Sequence, residues 1–257
     1  MKPAELFDVS GRAAIVTGGG SGIGRQMATA LAEAGADLVL CARNAERCEE
    51  VAAELAQLGV RAQGLPCDVR NPGDVQAVVD RTRRELGRVD ILVNNAGTAW
   101  GAPAEDYPLE GWQKVIDVNL TGVFLFAQTA GRAMIEQRGG KIVNIASVAA
   151  FGGAPPELMD AVAYNASKGG VVAFTRDLAT KWARHGINVN AIAPGWFPTD
   201  MNRGLLDATP DAYLQHIPLR RFGGPDDLKG AVVFLASAAS DFVTGQTIVV
   251  DGGQSAW

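Results

Sequence analysis

The chain has little cysteine and less histidine. Its 257 residues include three cysteines, Cys41, Cys48 and Cys67, and two histidines, His185 and His216. The cysteine number is odd and no pair stands as Cys-x-x-Cys, which argues against a disulfide framework and a structural zinc site. Free thiols in a reducing compartment are the simpler reading, and a cytoplasmic location is the expectation that follows. The two histidines form neither a metal-ligand set nor a Ser-His-Asp arrangement, so no metal is expected. No run of about 18 apolar residues is present, as a membrane-crossing helix requires. The stretch from Met1 to Gly11 lacks the apolar core of a secretory signal. An excess of positive charge is missing too. The balance of 23 Lys and Arg against 28 Asp and Glu leaves −5, so the surface offers nucleic acid no general attraction. Neither a membrane nor a nucleic acid is an expected partner.

What is present is a globular composition, 47% hydrophobic and 20% charged, which excludes disorder. The 31 glycines follow no Gly-x-y period. Short β-branched or apolar runs alternate with longer, Ala-rich amphipathic stretches. Strands are expected at Ala13–Thr17, Leu38–Cys41, Arg61–Leu65, Ile91–Asn94, Lys141–Ala146, Asn188–Ala193 and Thr247–Val250. Helices are expected near Gly22–Ala34, Ala45–Leu58, Pro72–Leu86, Trp112–Gln137, Ala161–His185 and Asp226–Ser237. Strands interleaved with helices imply parallel pairing through helical crossovers. Runs such as Ile142-Val143-Asn144-Ile145 suit a sheet covered on both faces. The expectation is one α/β domain over residues 1–257, doubly wound around a central parallel seven-stranded sheet. Residues 195–224, rich in proline and without a clear period, read as a small, mostly helical lid on a loop.

Chemistry concentrates at the expected carboxyl ends of the strands. Thr17-Gly18-Gly19-Gly20-Ser21-Gly22-Ile23-Gly24 follows a strand and opens a helix, where glycines let the backbone approach a pyrophosphate. No lysine follows the cluster, which argues against an NTPase phosphate loop. Tyr164-Asn165-Ala166-Ser167-Lys168 sets a phenol and an ammonium four residues apart, on one helical face. An ammonium there would favour the phenolate and lower the phenol's pKa from about 10. That makes Tyr164 a candidate proton donor and acceptor.

The Gly-x-x-x-Gly-x-Gly spacing, Asn94-Asn95-Ala96-Gly97, Asn119, Ser147 and Tyr164-x-x-x-Lys168, in this order along the chain, resemble the classical short-chain dehydrogenase/reductase family. The resemblance runs from Gly11 to Gly253. It implies a Rossmann-type fold binding a nicotinamide dinucleotide and a catalytic set of Asn119, Ser147, Tyr164 and Lys168. Ser147 would hold the substrate carbonyl, Lys168 the nicotinamide ribose, and Asn119 a water linking Lys168 to solvent. The cofactor would meet Gly18, Ser21, Gly22, Ile23 and Gly24 at its phosphates. Asp68 and Val69 would meet the adenine, although Asp68 could instead cap the following helix. Asn95, Ala96 and Gly97 would allow close approach. Pro194, Gly195, Phe197 and Thr199 would hold the carboxamide. The position where relatives carry a ribose-binding acid is Ala42, and Arg43-Asn44 follows it. Arg43 could pair with a 2′-phosphate, so NADP(H) is favoured and NAD(H) stays possible. Ser21 stands where many NADPH-preferring relatives carry a second basic residue. Asp90 would brace the Asn94–Gly97 loop.

About four residues more than the family pattern separate Ser147 from Tyr164, around Gly152–Asp160. The substrate pocket would include Trp100, Ala149, Trp196 and Leu205. Short stretches resemble ketoacyl reductases of the rhamnolipid-pathway type, and others resemble gluconate 5-dehydrogenases. A cluster of Trp100, Trp196 and Phe197 would favour a hydrophobic ketone. The expected activity is NADPH-dependent interconversion of a small-molecule ketone and a secondary alcohol. A sugar-acid dehydrogenase is the alternative, and a cofactor-binding scaffold without turnover a further one. The resemblance also implies a homotetramer.

Overall fold

A computed structural model describes residues 2–256. In chain order the strands are β1 (Ala13–Thr17), β2 (Asp37–Ala42), β3 (Ala62–Pro66), β4 (Ile91–Asn94), β5 (Gly140–Ile145), β6 (Ile187–Pro194) and β7 (Thr247–Val250). The α-helices are α1 (Pro3–Leu6), α2 (Gly22–Glu33), α3 (Ala45–Ala56), α4 (Pro72–Leu86), α5 (Leu109–Ile116), α6 (Gly122–Gln137), α7 (Val162–Trp182), α8 (Arg203–Ala208), α9 (Pro210–Leu214) and α10 (Lys229–Ala236). The strands form one parallel sheet of seven in the order β3-β2-β1-β4-β5-β6-β7. The doubly wound α/β domain expected from the alternating pattern is the fold found.

Every residue of β1 is buried. One face of the sheet is covered by Met27 and Leu31 of α2, Val51 and Leu55 of α3 and Val232 and Leu235 of α10. The other face is covered by Val75 and Val78 of α4, Phe126 and Met134 of α6 and Leu178 of α7. Helix punctuation follows local chemistry. Asn71 accepts from the backbone N–H of Gly73 at 2.8 Å and caps α4, whose first residue is Pro72.

Two expectations need correction. Trp112–Gln137 is not one regular helix. It starts earlier, at Leu109, and a π-helical turn over Asp117–Thr121 separates α5 from α6. The extra residue in that turn shifts the helical phase and carries Asn119 into the interior, fully buried. Asp90 does not brace the Asn94–Gly97 loop. It lies before β4, at the opposite end of that strand. Its carboxylate accepts from the backbone N–H of Ala13 at 3.0 Å and pairs with Arg88 at 2.6 Å.

The sheet interior contains one polar relay. Register sets Asn94 beside Asn144, and Asn94 Nδ2 donates to Asn144 Oδ1 at 2.9 Å. Asn144 Nδ2 then donates to the Thr175 hydroxyl of α7 at 2.9 Å. Asn144→Ala leaves the Asn94 amide and the Thr175 hydroxyl without this partner in a dry interior. The unfolding free energy should fall by about 1–3 kcal/mol, read as a lower denaturant midpoint with an unchanged m-value.

Candidate active site

All the candidate segments come from the carboxyl edge of the sheet, where β1 has β2 on one side and β4 on the other. Strand connections leave in opposite directions there and open a crevice. The first wall is the glycine turn. Gly18 has φ +67°, and a Cβ on it would stand 2.8 Å from Asn95 Nδ2. A Cβ on Gly24 would stand 2.2 Å from the Gly18 carbonyl oxygen. Only glycine lets the start of α2 close this tightly on the turn. Gly22 and Ile23 form the rest of that first helical turn, and Ser21 is its N-cap residue.

The facing wall is stitched to the turn. The Thr17 hydroxyl accepts from the backbone N–H groups of Asn95 and Ala96, both at 2.9 Å. Asn95 Nδ2 donates to the Thr17 carbonyl at 2.9 Å. A groove of about 790 Å³ runs alongside, lined by residues that include Gly18, Ser21, Arg43, Asn44, Arg47, Asp68, Val69, Ala96 and Gly97. That volume is within the range of about 300–1,000 Å³ usual for cofactor sites. The narrow glycine turn, the helix start beside it and the volume together fit a dinucleotide.

Asp68 does not cap α4, since Asn71 does. Its carboxylate accepts from Arg70 Nε at 2.9 Å, and this partner holds its pKa down at about 2. Pro194 ends β6 and Gly195 follows, close against Asp251. Asn202, which the sequence reading passed over, organises the next loop. Asn202 Oδ1 accepts from the Thr199 N–H at 2.8 Å and from the Thr199 hydroxyl at 3.1 Å, and its Nδ2 donates to the Phe197 carbonyl at 3.0 Å. An asparagine three residues beyond a loop threonine was the available signal.

Ser147 follows β5 at a short helical turn, and its hydroxyl accepts from the Ala149 N–H at 3.2 Å. Tyr164 and Lys168 lie on α7, with Lys168 Nζ 5.6 Å from the Tyr164 ring centre. Burial raises the Tyr164 phenol above its usual value, and a hydrogen bond with the Ser147 side chain opposes that. Burial also lowers Lys168 to about 8. Its ammonium donates to the Ile145 carbonyl at 2.7 Å. The expected lowering of the phenol by the ammonium is therefore not what this geometry produces. Desolvation acts on both groups and disfavours both charges.

Asn119 touches the same cluster through its side chain. Its amide donates to the Thr98 carbonyl and the Ser167 hydroxyl, both at 3.0 Å, and its oxygen accepts from the Thr98 N–H at 2.8 Å. Both amide hydrogens are occupied, so the side chain acts as a brace between the Gly97–Thr98 loop and α7.

Trp196 and Phe197 line one small pocket, and Trp100 is not among its lining residues. Trp196 packs edge-on against Tyr213, with ring centres 4.7 Å apart. Phe197 is 3% exposed and turns into the core against Gly223. Trp100 lies over Gly111, with the Lys114 ammonium 5.1 Å from its ring centre. Ala149 sits beside Ser147 and is half-buried, while Leu205 is exposed and its neighbour Leu206 is buried. Phe197 thus serves the core as well as the pocket it shares with Trp196, and Trp100 stands apart from that lining.

Residues 18–255 match a family model described as enoyl-(acyl carrier protein) reductase. The chain is 40% identical over 252 residues to the 5-keto-D-gluconate 5-reductase of Escherichia coli K12, covering 97% of each. It is 42% identical to a gluconate 5-dehydrogenase from Burkholderia cenocepacia, solved in complex with NADP and tartrate, covering 99% of each at a TM-score of 0.93. It is 41% identical to a short-chain type dehydrogenase/reductase from Mycobacterium marinum, covering 98% of each chain at a TM-score of 0.93.

The depressed Lys168 has a consequence for stability. Folded, it loses its proton near pH 8; unfolded, near 10.5. Between those values the unfolded chain holds more protons, so rising pH favours the folded state. Wild type should gain on the order of 2 kcal/mol relative to Lys168→Met between about pH 8 and 10. Parallel denaturant titrations across that window measure it, and parallel curves without a gain would contradict the depressed value.

Proposed function

The chain belongs to the short-chain dehydrogenase/reductase family, and on that premise we propose that it interconverts a ketone and a secondary alcohol with NADP(H), Tyr164 transferring the proton. The observation that carries this reading is the meeting of Ser147, at the end of β5, with Tyr164 and a buried Lys168 on α7, the Lys168 ammonium 5.6 Å from the Tyr164 ring centre. When bound, the nicotinamide supplies or accepts the hydride.

Ser147 and Tyr164 present hydroxyls that hold a substrate carbonyl oxygen, or the alcohol it becomes. Because burial keeps the phenol protonated at neutral pH, Tyr164 is ready to give a proton, which favours carbonyl reduction there. Alcohol oxidation needs the phenolate and gains as pH rises. Lys168, near half-charged at about pH 8, carries a positive charge toward the phenolate side at neutral pH and holds the nicotinamide ribose. Asn119 keeps Gly97–Thr98 and α7 in mutual position. The carboxamide is held at Phe197 and Thr199, on the loop that Asn202 organises. Gly18, Ser21, Gly22, Ile23, Gly24, Asn95, Ala96, Pro194 and Gly195 line the path of the dinucleotide, with Asp68 and Val69 at the adenine. Arg43, exposed at the groove edge, meets the 2′-phosphate.

A second reading concerns the substrate. A polyhydroxylated sugar acid is the substrate class this reading takes, with Trp100 standing apart from the pocket that Trp196 and Phe197 line. The ketogluconate-acting relative at 40% identity supports the same choice. Residues 195–224, with α8 and α9, form the lid. No helix of the described residues is long and apolar enough to cross a membrane. A homotetramer, built through α5, α6, α7 and β7, would cover Trp112, Phe124 and Val249, which are exposed in the single chain.

Tyr164→Phe should lower turnover by about 100-fold or more while leaving NADPH affinity nearly unchanged. Loss of nicotinamide absorbance, with NADPH and NADH against a β-ketoester, an aryl diketone and 5-ketogluconate, measures it. Near-normal turnover of the variant would refute the assigned acid. Turnover of ketogluconate alone selects the sugar acid, and tight NADPH binding with no turnover of any ketone would indicate a scaffold.

A further inference from the structure

The glycine turn is held between two segments far apart in sequence. On one side is the first turn of α3. A Cβ on Gly20 would stand 3.2 Å from Arg47 Cβ and 3.1 Å from Cys48 Sγ. On the other side is the loop after β6, where a Cβ on Gly22 would stand 3.1 Å from Thr199 Cγ2. Over the turn the two segments are joined by one ion pair, Arg47 Nη1 to Asp200 Oδ2 at 2.8 Å. Arg47 also lines the groove, with Arg43, Asn44 and Glu46 beside it. Both partners of the pair are more than half exposed, so little desolvation holds them together.

From this geometry we infer that Arg47 is a specificity-determining residue for the 2′-phosphate, exchanging Asp200 for it when the cofactor binds. The inference rests on the NADP(H) reading above and deepens it. Arg43 alone is a sparse partner for a phosphate, and Ser21 adds no charge. Arg47 supplies the second cation from α3 in place of the glycine loop. A phosphate monoester carries about −1.5 to −2 at neutral pH, against −1 on the carboxylate. A guanidinium fork accommodates it with two parallel hydrogen bonds. Asp200 competes with the phosphate for Arg47, and Glu46 opposes it in the groove. The exchange also links the two ends of the site, because Asp200 follows Thr199 directly.

The test is calorimetric and independent of turnover. 2′,5′-ADP and 5′-AMP are titrated into wild type, Arg43→Leu, Arg47→Leu, Arg47→Lys, Asp200→Asn and the Arg47→Leu/Asp200→Asn pair. Arg47→Leu should weaken 2′,5′-ADP about tenfold and leave 5′-AMP unchanged, with partial rescue by Arg47→Lys. Asp200→Asn should tighten 2′,5′-ADP by about threefold, and that gain should vanish when Arg47 is Leu. Unchanged 2′,5′-ADP binding in Arg47→Leu, with a loss in Arg43→Leu, would overturn the role of Arg47 and leave the NADP(H) reading standing. Equal losses of both probes in Arg47→Leu would make the residue structural and overturn it too. A wild type that does not distinguish the probes would overturn both.

Discussion

The pairing of β1 with β4 is the constraint on which the site depends. Val16 lies opposite Val93 in the parallel ladder. Immediately beyond it the chains part, and hydrogen bonds from Asn95 and Ala96 to Thr17 fix the angle at which they do so. Gly18 and Gly97 are thereby held as the two lips of one crevice. The close approach of Gly24 to the Gly18 carbonyl sets α2 against the same point. A one-residue slip between β1 and β4 would move Thr17 away from Asn95 and reverse which side chains face each helical layer. The buried apolar faces on both sides of the sheet oppose such a slip, so core packing fixes the geometry of the polar site beside it.

A buried cation with no carboxylate partner among the described residues is the second organising feature. Lys168 is 4% exposed and its ammonium is met by the Ile145 carbonyl. A carboxylate at that position would stabilise the charge and restore an ordinary lysine. A dipole partner does so only in part, leaving the group able to gain or lose a proton near neutrality. The phenol next to it is pushed the other way by the same dry surroundings. Shared desolvation therefore holds both groups toward their neutral forms, and Ser147 opposes it at the phenol. The lysine is brought near pH 8, while the phenol stays protonated at neutral pH.

The sheet and its order of elements were legible because β-branched runs and Ala-rich helices keep distinct periods. The placement of Tyr164 beside Lys168 was legible because residues four apart share a helical face whatever surrounds them. Other features escaped for physical reasons. The π-turn at Asn119 is a one-residue change of phase inside a helical pattern, and composition does not mark it. The fate of Phe197 depended on Gly223 leaving room in the core, a contact between residues 26 apart. The brace at Asn202 and the ion pair between Arg47 and Asp200 join segments that meet only after the sheet closes. The direction of the Tyr164 shift escaped as well, since spacing reports the neighbouring charge and says nothing of burial.

The residues between Ser147 and Tyr164 show how chemistry and selectivity separate in this fold. Tyr213, 1% exposed, donates its hydroxyl to the Leu158 carbonyl at 3.1 Å and sets its ring against Trp196. The Asp160 carbonyl accepts from the Ala102 N–H at 3.0 Å. The additional chain is thus tied to α9, to the loop after β6 and to the loop after β4. Asn165, next to Tyr164 on α7, donates to the Gly152 carbonyl at 3.2 Å, so the same segment also meets the helix that carries Tyr164 and Lys168. A change in this strap can reshape what the site admits. The strap is therefore a place where substrate selection can change without replacing Ser147, Tyr164 or Lys168.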